Sequence, residues 1–286
     1  MMNTSTLPNE ADMRGSRLII VGGAPRSGTS LFQSMMDSHS DVYGGPEFDH
    51  LTDIVNLRNR LQQGLQYGRI THFVDAAQID DAMGQMVESL LYPVADRHGV
   101  NRLSEKTPMN VLVFKDLMTI LPGAKFVHVI RDPRAVIMSM YQVAKRIDQA
   151  GQTRPPFLSN LEAMALYINQ CVHAGVEACG SQAARAIIVR YEDLLSRTED
   201  TMMNLLDFLG LADDRAVLNP GKVAHESASL LKDGSDPWAG GRRTYTDPER
   251  KNQDKWREDL DPNSIEVLNR LFSAAPVYAA LGYNFD

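Results

Sequence analysis

The chain is short of cysteine, of clustered histidine, of long apolar runs and of positive charge, and each shortage removes a class of function. Its two cysteines, Cys171 and Cys179, fall within one helical pattern. Eight residues of helix set them roughly 12 Å apart along the axis, beyond the span of a disulfide, so they read as reduced core residues of a cytoplasmic protein. The seven histidines show no ligand spacing and two cysteines cannot build a zinc knuckle, so no metal is expected. No apolar stretch approaches the length of a membrane span. Met1 to Arg14 is polar and lacks the apolar core of a secretory signal. Residues 1–14 therefore read as a disordered lead-in, and residues 15–286 as one domain. A net charge of −7, from 29 Lys and Arg against 36 Asp and Glu, argues against a nucleic-acid partner or an anionic membrane surface and leaves room for a local basic cleft. There is no internal repeat and no low-complexity segment.

What is present is the pattern of an α/β protein. With 43% apolar and 23% charged residues, the composition is that of a globular domain long enough to bury a full core. Short β-rich runs at Leu18–Val21, Asp41–Tyr43, Arg102–Glu105, Lys125–Ile130 and Ala186–Arg190 alternate with helical patterns. The helices are expected over Thr29–Asp37, Asp80–Arg97, Met109–Ile120, Ala135–Ile147, Leu161–Ala178, Thr198–Leu209 and Pro262–Ala274. This alternation predicts a P-loop-like parallel β-sheet flanked by helices. Pro122-Gly123 stops one helix before a strand, and Pro133 opens another after it. Gly151–Asn160 and Pro220–Lys255 lack periodicity, and a loop as long as the second is usually functional or disordered.

The run Gly22-Gly23-Ala24-Pro25-Arg26-Ser27-Gly28-Thr29-Ser30-Leu31 joins the first strand to the first helix. Gly23 and Gly28 have the spacing of a nucleoside-triphosphate loop, and Ser30 supplies its hydroxyl, but Thr29 occupies the lysine position. That lysine normally reaches the terminal phosphates, so a nucleotide kinase is disfavoured. The helix N-terminus remains an anion site, joined by Arg26. A second anion site is suggested where the strand Phe126–Ile130 ends in Arg131-Asp132-Pro133-Arg134, with Ser139 about two turns into the next helix. Ligands of open parallel sheets lie beyond the carboxyl ends of the strands, and the arginine fork suits a phosphate.

Four segments in this order carry a family resemblance: Pro25–Leu31; Glu105-Lys106-Thr107-Pro108; Val129–Arg134 with Ser139; and Arg190-Tyr191-Glu192-Asp193-Leu194. The chain resembles sulfotransferases that use 3′-phosphoadenosine-5′-phosphosulfate (PAPS, leaving PAP). The likeness is closest to the tyrosylprotein branch, through Asp37-Ser38-His39-Ser40-Asp41-Val42 and Glu47, and a Lys255-Trp256 pair extends it. The resemblance implies that Arg26 and the backbone of Ser27, Gly28, Thr29, Ser30 and Leu31 hold the 5′-phosphosulfate. Arg131 and Ser139 would hold the 3′-phosphate, and Tyr191 would lie near the adenosine. Lys106 would stabilise charge on the leaving bridge, with Arg26 beside it, and Glu47 would be the base, with His50 as its rival. Ser229 would approach the phosphosulfate and Arg243 or Arg242 the 3′-phosphate. The branch carries Gly-Glu-Glu where this chain has Gly45-Pro46-Glu47, so contacts to the acceptor are expected to differ. The implied acceptor is a hydroxyl, on a peptide tyrosine or a small molecule. A homodimer is compatible with the resemblance, and a cytoplasmic location is expected from the absence of a signal or anchor. A catalytically inactive nucleotide-binding protein is the remaining alternative, disfavoured by the presence of both Lys106 and Glu47.

Overall fold

Apolar residues alternate between two faces along the central strands, and this decides the architecture. Leu18, Ile20, Phe126 and Ile130 enter one core, while Ile19, Val21, Val127 and Val129 enter another on the opposite side. A strand buried on both faces belongs inside a parallel sheet covered by helices. The computed structural model describes residues 13–225, 237–238, 248 and 253–285. In chain order the elements are β1 (Leu18–Gly22), α1 (Thr29–Met36), β2 (Val42–Tyr43), α2 (Leu51–Gln66), α3 (Ala76–His98), β3 (Arg102–Lys106), α4 (Phe114–Ile120) and β4 (Lys125–Ile130). They continue with α5 (Pro133–Gln149), α6 (Leu161–Ser181), β5 (Ala186–Arg190), α7 (Tyr191–Ser196), α8 (Thr198–Leu209), α9 (Trp256–Asp259), α10 (Pro262–Ser273) and α11 (Pro276–Ala280). The strands pair in parallel in the order β2-β3-β1-β4-β5. From β1 the chain runs out to the edge strand β2, returns to β3 beside β1, and then crosses to β4 and β5, so the connections after β1 and β4 lead to opposite sides of the sheet and open a crevice at the carboxyl edge.

All five strands expected from sequence are present; the short helices α7, α9 and α11 add to the expected set, and three further stretches differ. Met109–Ile120 is not one helix. Pro108–Val113 forms a 3₁₀ turn before α4. Within it the Pro108 carbonyl accepts from Gly23 N–H at 2.9 Å, and the Asn110 amide donates to Glu105. These bonds draw the turn to the site and leave it too tight for an α-helix. Helix α2 was not anticipated, because its Asn, Gln and Arg residues mask a short stripe of Leu51, Ile54 and Val55, all buried. Arg14, assigned to a disordered lead-in, is instead held by an ion pair with Asp81. Residues 1–12 lie outside the described residues. Both cysteines are buried and unbridged on α6. Among the described residues no helix is long and apolar enough to cross a membrane.

One polar residue stands in the wall between β4 and α6. His128 lies between Phe126 and Ile130 on the strand and is fully buried. It packs so closely on α6 that a Cβ on Gly175 would come 2.3 Å from its ring. Neither ring nitrogen has a partner in hydrogen-bond geometry among the described residues. Burial pushes the imidazole down to about 4, outweighing the opposing influence of the Gly22 backbone. Because the folded value lies below the unfolded one, the unfolded chain takes up the proton first. Stability is therefore full above the ordinary histidine value and falls as pH drops from about 6.5 towards 4, by up to ~1.4 kcal/mol per pH unit. Urea midpoints at about pH 7.5 and about pH 5 should differ clearly in the wild type, and by less in His128→Leu, which removes the titrating group.

Candidate active site at the carboxyl edge of the sheet

Each strand of the parallel sheet delivers one of the candidate residues, and the strand order sets their order in space. Glu47 follows β2, Lys106 ends β3, Arg26 follows β1, Arg131 follows β4 and Tyr191 follows β5. Lys106 is in register with Val21, next to the start of the glycine loop. The loop is tightly packed at its base: a Cβ on Gly23 would lie 2.2 Å from the Val129 carbonyl oxygen. Gly28 has φ 101° and caps α1 without any side-chain hydrogen bond, so the loop enters the helix through a left-handed residue. A Cβ there would also come 2.2 Å from Cδ2 of Tyr191, so the tyrosine ring rests on bare glycine backbone. Arg26 has φ 74°, a strained value for a side-chain-bearing residue. Thr29 and Ser27 are buried, Ser30 is exposed and Leu31 is half-buried. The Ser27 hydroxyl has no hydrogen-bond partner among the described residues.

The two anion sites inferred from sequence turn out to be in contact. Arg26 Nε donates to Ser139 Oγ at 3.1 Å, and its Nη1 donates to the Trp238 carbonyl at 3.0 Å. Arg26 thus points towards the residue assigned to the 3′-phosphate, a position its sequence does not disclose. The Arg131 guanidinium lies 4.4 Å from the centroid of the Tyr191 ring. Arg134, in the same motif, does something else. It forks onto the Asp132 carboxylate, donates to Asn269 Oδ1 at 2.9 Å and to the Asn284 carbonyl at 3.0 Å, and stacks on Trp256 at 4.3 Å. Its role is to fasten the C-terminal segment to α5, and Trp256 of the Lys-Trp pair is buried beneath it.

On the other side of the loop, Lys106 Nζ forms an ion pair with Glu47 Oε1. The Lys106 side chain is 8% exposed and that of Glu47 is 42% exposed, so a buried ammonium meets a carboxylate open to solvent. His50 is not drawn into this pair. It stands exposed at the start of α2, with its Nδ1 2.9 Å from Asp53. Ser229 and Arg243, with Arg242, lie outside the described residues.

Sequence patterns did not reveal the polar residues that hold these groups. Buried Glu105 accepts from Thr107 Oγ1 at 2.7 Å, from Phe48 N–H at 3.2 Å and from the Asn110 amide. Burial pushes its carboxyl up, while those donors and the charge of Lys106 pull it back. It therefore ties the residue after Glu47 to the residue before Lys106. Gln33 of α1 donates to the Gly45 carbonyl at 3.2 Å and the Ser104 carbonyl at 2.8 Å. Glu192 accepts from Asp132 N–H at 2.8 Å and from the Tyr283 hydroxyl at 2.9 Å, joining the ends of β4 and β5 to the C-terminal segment. The Glu-Lys-Thr-Pro motif carries Glu105 in plain view. Glu192 likewise sits inside the Arg190–Leu194 segment, whereas Gln33 gives no comparable signal.

Known proteins share this arrangement. The sulfotransferase family model matches residues 18–215. Protein-tyrosine sulfotransferase 1 of Danio rerio is 28% identical, over 93% of this chain and 72% of that protein. Protein-tyrosine sulfotransferase 1 of Homo sapiens is 27% identical, over 93% of this chain and 70% of that protein. Among solved structures, the sulfotransferase domain of the Synechococcus PCC 7002 olefin synthase superimposes with a TM-score of 0.56 at 24% identity, covering 86% of this chain and 88% of that one. The sulfotransferase domain of the curacin biosynthetic pathway gives 0.55 at 20%, covering 86% and 91%. These two share the α/β sulfotransferase fold. With the match running from β1 past the end of α8, the chain belongs to the sulfotransferase family and is an enzyme of sulfuryl transfer.

Proposed function

We propose that the chain transfers the sulfuryl group of PAPS to a hydroxyl, with a phenolic oxygen, free or on a peptide tyrosine, as the favoured acceptor. The observation that carries this reading is the Lys106–Glu47 pair at the ends of adjacent strands, one register step from the glycine loop. A base and a cation side by side can serve the two ends of one displacement. The chemistry of the donor set fits PAPS. The uncapped start of α1, glycine backbone at Gly28 and the unpartnered Ser27 hydroxyl suit the 5′-phosphosulfate. Arg131 and Ser139 suit a separate 3′-phosphate, with Arg26 within reach of both groups. Tyr191, flat on Gly28 and under Arg131, offers a face near the adenosine.

Sulfuryl transfer resembles phosphoryl transfer, an in-line displacement in which positioning and charge stabilisation do most of the catalysis. Glu47 takes the acceptor proton as the hydroxyl oxygen bonds to sulfur. Lys106 donates a hydrogen bond to the oxygen that leaves with the electrons of the broken S–O bond, and the backbone amides of the loop hold the phosphate behind it. Glu47 is favoured over His50 because Glu47 touches Lys106, whereas His50 is engaged with Asp53. The names of the aligned relatives support a tyrosyl hydroxyl. Pro46 beside the base leaves the loop without the second acid of that branch, which favours an acceptor differing in charge from theirs.

Lys106→Ala should lower kcat for sulfate transfer from labelled PAPS to a phenol by about 10²–10³-fold, a magnitude typical for removing a transition-state donor. Calorimetric affinity for PAP should change little. Glu47→Gln should lower kcat by about 10²-fold or more, and His50→Ala by far less. Unchanged turnover in Lys106→Ala would remove the assigned role. Ligand choice is tested separately by thermal shift. PAP without metal should raise the melting temperature, and ATP with magnesium should not. The reverse result would point to a nucleotide kinase.

A further inference from the structure

The residues that carry the donor and acceptor sites leave one buried aspartate–histidine contact unexplained. Helix α1 ends at Met36, and Asp37 closes it, its own N–H bonded to the Gln33 carbonyl at 2.8 Å. A carboxylate at the C-terminal end of a helix meets an unfavourable dipole, and burying it adds a desolvation cost. The position is satisfied from two sides. Asp37 Oδ1 accepts from Gly44 N–H at 2.7 Å, and Oδ2 meets His225 Nδ1 at 2.6 Å. His225 Nε2 in turn meets the Pro220 carbonyl at 2.8 Å. The side chains of His225 and Asp37 are only 2% and 9% exposed.

The geometry points to Asp37 and His225 as a positioning pair for the acceptor side of the site, a clasp that fixes the loop bearing Glu47. Gly44 begins the turn Gly44-Gly45-Pro46-Glu47, and it sits so close that an added Cβ would lie 2.8 Å from Asp37 Cβ. Gln33, one helical turn earlier on the same helix, holds the Gly45 carbonyl. The far end of the loop is pinned by Glu105 to Phe48 and by Thr107 to Asp49, at 3.2 Å each. Glu47 is thus suspended between two anchors. The first of them depends on a residue 188 positions away in the chain. Thirteen positions beyond His225 in sequence, Trp238 gives its carbonyl to Arg26. His225 therefore bears on the acceptor loop through Asp37, and Trp238 bears on the donor loop through Arg26. Helix α1 completes the circuit, with the glycine loop at its N-terminus and Asp37 at its C-terminus.

This inference rests on Glu47 being the base, and its test separates the two claims. The amide of Asn can stand in for Nδ1 of the imidazole, and the longer amide of Gln for Nε2. His225→Asn keeps a donor for Asp37, while His225→Gln keeps one for Pro220 and loses Asp37. In the full-length protein, hydrogen–deuterium exchange over residues 44–48 should accelerate about tenfold in His225→Gln and in Asp37→Ala, and stay near wild type in His225→Asn. Exchange over residues 23–31 and calorimetric affinity for PAP should not move. With saturating PAPS and p-nitrophenol as the probe acceptor, kcat should fall about tenfold in His225→Gln and recover in His225→Asn. Unchanged exchange at 44–48 in His225→Gln, or equal damage from Asn and Gln, would overturn the clasp. Absence of transfer by the wild type to any phenol would sink the phenolic reading alone, since the exchange comparison still decides the clasp.

Discussion

Five parallel strands in one register are the constraint on which everything else depends. Parallel pairing forces each strand to end on the same edge, so the loops after β2, β3, β1, β4 and β5 must share one rim. The sheet can be parallel because both its faces are apolar and covered, with β1 wholly buried at the centre. Charged groups placed just beyond the strands then meet without any further device. Lys106 and Glu47 come together because β2 and β3 are neighbours, and Arg26 reaches Ser139 because β1 and β4 are neighbours. Glycine at 23 and 28 lets the layers close, since a side chain at either would strike Val129 or Tyr191.

A rim of loops is not rigid by itself, and buried polar residues supply the stiffness. Glu105 ties the turn after Glu47 to the end of β3, Gln33 and Asp37 tie its start to α1, and Glu192 ties the end of β4 to β5. Burying a carboxylate is unfavourable unless its lone pairs are met by donors. Each of these acids has at least two hydrogen-bond partners. Such networks are worth most when complete, because a single missing donor leaves a desolvated charge. Arg134 extends the same logic to the C-terminal segment, which it holds by two hydrogen bonds and a stacked tryptophan while forking onto Asp132. The exposed carboxylate of Glu47 is thus held in place by atoms that are themselves buried.

Much of this was legible in the chain because its signals are local. Strands announced themselves by short β-rich runs, the helix starts by Pro133 and Gly28, and the tight β1–α1 loop by glycine spacing. Those features act through backbone dihedrals and the periodicity of neighbouring residues, which sequence records directly. The stretches that differed were ones where a distant partner decided the outcome. Pro108–Val113 tightened because Gly23 and Glu105 bind it. Helix α2 formed on a stripe of only a few buried residues.

The sequence by itself determined the fold class, the two candidate anion motifs, and the presence of a lysine and an acid suited to sulfuryl transfer. Only the tertiary structure decided that Glu47, and not His50, meets Lys106, and that Arg26 turns to Ser139. It alone decided that Arg134 serves the fold, and that His225 closes on Asp37. The reason is physical. A motif encodes which atoms are available and how the local backbone bends. Which atoms touch depends on strand order, burial and competition among partners far apart in the chain.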